Sequence, residues 1–349
     1  MQVISLKFKY TLLVCGLLFS SFASANTEGF NVESKNSDGV VAIALTGECI
    51  SSFKENGEIP CNRKMLYGAF DVVYSNAYNK YITCGDWGSF NYSSDGISWR
   101  ETRFTDLGKI ELNRIAILDD NEGYVAAVGN NGAIVASNNM GATWSLRANP
   151  AGTQDLQNIY SDGEHFFIAV DGVTWLYSDN GGFSWSKRND IAKLPQAPQY
   201  LFSNNGEYYI VGGSDGAVYI SADNMSSWVQ QKSVLYKPEG KSKYATFNSY
   251  LYAKKQGLNL LLGTDNTLFV SDNSGIANDH WTRIIIPNTV ANEDFTGASI
   301  DSKGDIYMVS NAPSGSNQNG SVYKSSNGYD WVKLVGYPNI SFLDILAIK

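Results

Sequence analysis

Tryptophan recurs along this chain at the period of a structural repeat. Six of the eight tryptophans, Trp99, Trp144, Trp185, Trp228, Trp281 and Trp331, fall 41 to 53 residues apart. Each closes a similar short phrase. The clearest copies run from Ser137 to Trp144 (SNNMGATW) and from Ser178 to Trp185 (SDNGGFSW). The copy from Ser221 to Trp228 keeps that length with Met225 at the glycine position, those ending at Trp99 and Trp331 are one residue shorter, and the one ending at Trp281 carries an insertion after Gly275. A repeat of about 45 residues is one supersecondary unit that buries its apolar face only against its neighbours, so a single architecture must account for the span from about Tyr67 to Trp331.

The phrase reads physically as a hairpin turn. An Asp or Asn accepts backbone N–H bonds within a tight turn, glycine supplies a positive φ, and the hydroxyl before the tryptophan can close the loop. The tryptophan then opens the outgoing strand with a large apolar face for a neighbouring sheet to cover. The box residues are therefore assigned to folding rather than chemistry.

These phrases resemble the Asp-box, S-x-D-x-G-x-[TS]-W, of sialidases, sortilin-type receptors and photosystem II assembly factors. The resemblance implies an all-β chain folded as a β-propeller. The segments between boxes agree: Leu112 to Leu118 and Tyr124 to Val128 flank one turn, and Gln157 to Tyr160 and Phe166 to Val170 flank another. A further turn follows, such as Gly129-Asn130-Asn131-Gly132, and then a strand running into the box. Four strands of about five residues with their turns fill one blade, and no segment shows sustained helical periodicity.

Strand-like segments remain at both ends. Ile340 to Ile348 matches a first strand, Val40 to Leu45 a second and Cys49 to Phe53 a third. We therefore expect seven blades, the last built from both termini so that no sheet edge is left open; six blades with an N-terminal appendage is the alternative. A hairpin turning at Glu55 sets Cys49 and Cys61 equally far from its tip, which suits a disulfide between them. Cys84 is then left over and reads as a small buried apolar residue. Residues 1–25, with Lys7 and Lys9 before an apolar run and Ala23-Ser24-Ala25 at the end, have the pattern of a secretory signal peptide. Residues 26–349 are then a single domain, secreted or periplasmic and monomeric, with no membrane-spanning segment.

A formal charge of −8 argues against nucleic acid as a partner. The sialidase chemistry needs three converging arginines for a carboxylate. Here Arg100, Arg147, Arg188 and Arg283 each follow a box tryptophan, and the nearest match to the family's R-I-P signature is Arg114-Ile115-Ala116, which lacks the proline. The histidines, His165 and His280, have no metal-ligand spacing. No cofactor and no metal are expected. The expectation is a non-enzymatic binding or scaffolding propeller for a protein or glycan, the alternative a polysaccharide-active glycoside hydrolase, whose two carboxylates no spacing can nominate.

The turns joining second and third strands offer a candidate binding face. Counted back from the box serine, one column reads Trp87, Asn131, Gly172, Asp215, Asp265 and Asn319, and the column before it Asp86, Asn130, Asp171, Ser214, Thr264 and Gln318. The connections between blades emerge at the same end, including the segment from Lys232 to Phe247 with Lys237, Lys241 and Lys243. Tight turns call for Asp, Asn and Gly, but not for Trp. Trp87 with Asp86, Asp171, Asp215 and Asp265 is the expected ligand face, whereas Trp175, inside a strand, is assigned to the core.

Overall fold

A computed structural model describes residues 40–45, 49–54, 61–64, 66–118, 122–170, 173–195, 198, 200–203, 209–289, 291–311, 320–337 and 342–347. Among these the strands form seven four-stranded antiparallel sheets, and the chain is an all-β propeller. Six sheets are simple meanders that each carry a box; we number them blades 1 to 6 along the chain. Blade 1 runs Ala69–Ser75, Lys80–Gly85, Ser89–Ser93 and Arg100–Arg103. The innermost strands of blades 2, 5 and 6 are Leu112–Ile117, Phe247–Ala253 and Asp294–Ile300. The seventh sheet joins the chain ends, in the order Asp344–Ala347, Val40–Leu45, Cys49–Lys54, Cys61–Lys64. Its strand Asp344–Ala347 lies against the innermost strands of blades 6 and 1.

The core is a circle of seams rather than one centre. Each hydrophobic cluster draws on two neighbouring sheets: Phe90 and Ile82 of blade 1 with Ile115 and Val125 of blade 2, Phe166 and Ile168 of blade 3 with Ala126 and Ile134 of blade 2, and Leu45, Ile50 and Leu346 of the terminal sheet with Val72 and Tyr81 of blade 1. Strands between two seams are covered on both faces and read as unbroken apolar runs, as Val125–Gly129 does. Every box tryptophan sits at the seam with the preceding sheet. Trp144 stacks on Phe90 at 4.0 Å and donates its indole N–H to the Tyr92 hydroxyl at 2.7 Å. Trp175 is fully buried and stacked on Trp228, as its strand position predicts.

The boxes fold as their composition dictates. The Ser137 hydroxyl accepts the Gly141 N–H at 2.9 Å and donates to the Asn139 carboxamide oxygen, which in turn accepts the Thr143 N–H at 2.9 Å. In blade 4 Met225 takes the glycine position at φ 65°, with its N–H on the Ser221 hydroxyl. In the insertion of the fifth box Asn273–Ala277 closes one helical turn, a local solution that the strand period does not signal.

The terminal hairpin departs from its expected register. Cys61 lies opposite Ser51, two residues from the expected pairing, and a further shift between Ile50 and Ser51 puts Cys49 opposite Lys64. The cysteines are therefore diagonal neighbours on adjacent strands rather than directly opposed. Cys84 is buried, its thiol donating to the Leu112 carbonyl at 3.5 Å. No helix among the described residues is long and apolar enough to cross a membrane.

Candidate functional site

The turns between second and third strands are built on one plan. The second strand ends in a glycine where the chain passes too close to the segment entering its own blade for any side chain. A Cβ on Gly85 would stand 1.8 Å from the Gly68 carbonyl oxygen, and one on Gly129 would stand 1.9 Å from that of Glu111. The next residue binds that segment: Asp86 N–H donates to Gly68 O at 2.9 Å while the Gly68 N–H donates to the Asp86 carboxylate at 3.2 Å. Thr264 and Thr246 repeat this arrangement, while Asn130 N–H donates to Glu111 O and the Asn130 carboxamide donates to the Glu111 carboxylate at 2.9 Å. The residue after it is left-handed, φ 55° at Trp87, Asn131 and Asp265 and 57° at Asp215.

That left-handed residue ties its blade to the next. Asn131 N–H donates to the Asp155 carboxylate at 2.7 Å, the Asp215 carboxylate accepts the Tyr244 N–H at 2.9 Å, and Asp265 N–H donates to Asp294 at 2.9 Å. Residues at the bulge of the innermost strand do the same on the inner side: Asn113 donates to Leu156 O, Asn248 to Phe295 O and Thr296 to Phe342 O. Two of the expected ligand residues, Asp215 and Asp265, are thus occupied in stitching blades together. Asp265 also pairs with Lys241 at 2.8 Å, fastening the long segment after blade 4 across this end. Asp171 lies outside the described residues.

Trp87 stands apart from its column. A left-handed backbone is uncommon for a bulky residue, and here it presents an indole that is 37 % exposed. Tyr67 lies 5.7 Å from it between ring centroids, and the Arg103 and Lys109 cations lie 5.3 and 4.9 Å from the ring centre. Arg103 also holds the turn from below, donating from Nε to Trp87 O at 2.6 Å and from its terminal nitrogen to Gly108 O. Leu66 is 77 % exposed beside Tyr67. Beneath this patch the Asp86 carboxyl is held above its ordinary range by burial, partly offset by the Gly68 N–H. Glu111 is raised by burial first and then by the charge of Asp86. The structure therefore groups Asp86 and Trp87 with Leu66, Tyr67, Arg103 and Lys109, and among the described residues no contact joins Asp215 or Asp265 to them. The four added residues lie on different segments, and no sequence spacing connects them.

Further ionisable groups turn inward. Arg114, the near match to the sialidase signature, faces the buried carboxylate of Asp71 at 3.6 Å. The buried Glu293 accepts the Tyr323 hydroxyl at 2.6 Å and that of Ser310. His165 lies 3.1 Å from the Asp162 carboxylate. Among the described residues no three His, Cys, Asp or Glu side chains are arranged to hold a metal.

The fold and its boxes define a BNR-like Asp-box β-propeller. Residues 106–234 match the family described as "Photosynthesis system II assembly factor YCF48". Among solved structures, a YCF48 bound to D1 peptide is 12 % identical with a TM-score of 0.58, covering 87 % of this chain and 86 % of that one. YCF48 from Cyanidioschyzon merolae is 12 % identical with a TM-score of 0.57, covering 78 % and 87 %. The GH74 xyloglucanase from Xanthomonas campestris is 16 % identical with a TM-score of 0.56, covering 76 % of this chain but only 45 % of its own, so this chain corresponds to less than half of that enzyme. These likenesses are of fold. No curated protein sequence matches.

Proposed function

We propose that this protein is a non-enzymatic binding propeller that holds a segment of a protein partner against the blade 1 end of the ring, with Trp87 as the anchor. The observation that carries this reading is the exposed indole at a turn position that the other blades fill with Asn, Asp or Gly. Large aromatics and arginine concentrate binding energy at interfaces, and Tyr67, Leu66 and Arg103 supply apolar and cationic neighbours. A protein partner is also what the YCF48 structure with bound peptide contains. Asp71, Arg114 and Glu293 are turned inward and engaged in braces, so they do not serve the hydrolase alternative.

The same reading takes the terminal sheet as a seventh blade that closes the ring, Cys49 and Cys61 as a disulfide across it, and residues 1–25 as a secretory signal removed from a secreted or periplasmic monomer. Affinity capture with wild-type and Trp87→Ala baits tests the main claim. The substitution should abolish recovery of the partner while leaving the melting temperature nearly unchanged, whereas Trp144→Ala, at a seam, should cost about 3 kcal/mol. If Trp87→Ala lowers the melting temperature as much as Trp144→Ala, Trp87 is a packing residue and the reading fails.

A further inference from the structure

The box end of the ring, opposite the Trp87 patch, holds a cleft of about 460 Å³ on blade 1. It is formed where the turn joining the first two strands, with Tyr78 and Asn79, meets the box turn, with Ser94 and Ser98. That volume falls within the usual range for small-molecule sites, roughly 300 to 1,000 Å³. Lys80, Tyr92, Ser93, Trp99 and Arg100 complete the lining.

Its charge is opposite in sign to that of the chain as a whole. The chain carries a net charge of −8, yet the lining contains two cations and no carboxylate. The Lys80 ammonium lies 4.4 Å from the centre of the Tyr92 ring and donates to the Met140 carbonyl at 2.7 Å. No carboxylate pairs with it among the described residues, and its burial without one depresses its basicity. Arg100 is exposed at the rim, and its guanidinium has neither a hydrogen bond nor an ion pair among the described residues. Asp95, the nearest acid of the box turn, spends one carboxylate oxygen inside that turn, on the N–H groups of Ile97 and Ser98 and the Ser93 hydroxyl.

The remaining lining fits a hydroxylated ring. Tyr78 offers a ring face at 44 % exposure. Asn79, whose carboxamide oxygen is taken by the Tyr74 hydroxyl, keeps its N–H groups for a ligand. Ser94 adds an exposed hydroxyl, while the Ser98 side chain is engaged by the Asp95 carboxylate. Aromatic faces with a few polar groups and a charge are what orients a small polar ligand in a cleft.

We propose that this cleft binds a single carboxylated sugar residue of the hexuronate class, its carboxylate between Lys80 and Arg100 and its ring against Tyr78. This second site lies at the other end of the ring from the Trp87 patch and is independent of the function proposed above.

Titration of the full chain with sodium glucuronate, followed by calorimetry and by intrinsic tryptophan fluorescence, tests it. Glucuronate should bind saturably. Arg100→Gln, a rim substitution outside the core, should weaken it about tenfold, on the scale of losing one charge-assisted contact. Glucose and acetate should each bind at least about tenfold more weakly than glucuronate, since each lacks half of the recognised chemistry. Trp87→Ala should leave glucuronate affinity unchanged, which separates failure of this site from failure of the partner patch. Lys80→Gln should act like Arg100→Gln; if it unfolds the protein, Arg100→Gln alone decides. The proposal is overturned by absence of saturation with glucuronate, by equal affinity in the Arg100→Gln variant, or by acetate or inorganic phosphate binding as tightly as glucuronate.

Discussion

Removing the carboxylate of Asp71 should be among the most damaging changes this fold can suffer, and removing its partner as well should restore part of the loss. Asp71 sits on the innermost strand of blade 1, fully buried, with Arg114 of blade 2 at 3.6 Å and only slightly exposed. At that separation and an effective dielectric of about 20 the attraction is about 5 kcal/mol. The carboxylate also accepts the Ile115 N–H at 2.9 Å and the Val72 N–H at 3.0 Å. Asp71→Ala strands a buried guanidinium, a loss of about 3 to 5 kcal/mol, and leaves the Ile115 N–H without its acceptor, about 1 to 3 more. Adding Arg114→Met removes the stranded charge, so the double variant should retain only the backbone cost, roughly 2 kcal/mol. Urea unfolding of the four proteins, with midpoints compared at constant slope, measures the cycle. A single-variant loss below about 1 kcal/mol, or a double variant worse than Asp71→Ala alone, would refute the assignment of this pair as a buried brace between blades.

Three further outcomes follow from the same geometry. Burial, reinforced by the charges of Asp265 and Glu293 and opposed by the Asp265 N–H and Lys241, raises the Asp294 carboxyl to about 6. The folded state therefore holds this proton more tightly than the unfolded one; stability from this group is present below about pH 4 and is lost as pH rises through 6, leaving a penalty of about 3 kcal/mol at pH 7. Asp294→Asn, whose amide oxygen can still accept the Asp265 N–H, should raise the urea midpoint at pH 7.5 and leave it nearly unchanged at pH 4; a variant less stable than wild type at pH 7.5 would contradict this. Gly129→Ala should cost at least about 3 kcal/mol because its Cβ would stand 1.9 Å from a backbone oxygen, and a soluble variant with an unshifted melting temperature would rule out the close approach. Peptide mapping without reductant should recover a Cys49–Cys61 linkage, with Cys84 alkylated only in denaturant; a bond to Cys84 would exclude the proposed pairing.

How much of this was legible in the sequence depends on the distance over which each feature acts. The boxes were legible because Ser137, Asn139 and Gly141 satisfy one another within five residues. Trp175 was legible as core from its place in a strand, and the turn column from its spacing to the box serine. The stitches between blades were not. The Asp265 N–H donates to the Asp294 carboxylate and the Asn113 carboxamide to the Leu156 carbonyl across 29 and 43 residues, and at such separations an Asp that braces a neighbour looks the same as one that faces a ligand. The contacts that Asp215 and Asp265 make with neighbouring blades went unread for that reason. The glycines ending the second strands, Gly85 and Gly129, were a usable signal read only as turn composition. The hairpin register was missed because a symmetric count from Glu55 is already two residues off where Cys61 faces Ser51, and a one-residue irregularity then moves the pairs beyond it.

The pairing of Val40–Leu45 with Asp344–Ala347 bears on how the chain folds as it is made. The segment synthesised early cannot acquire its inner neighbour until the ribosome has added nearly everything else, a contact of very high sequence separation. Through most of synthesis the sheet that covers blade 1 therefore lacks its inner strand, and Val72, Tyr81 and Trp99, which pack against Leu45, Ile50 and Leu346, have no complete surface to meet. The last step is a docking of late residues onto early ones, so a chain truncated even slightly before Asp344 should emerge with an exposed apolar seam and a bare strand edge, the features that send incomplete chains to aggregation.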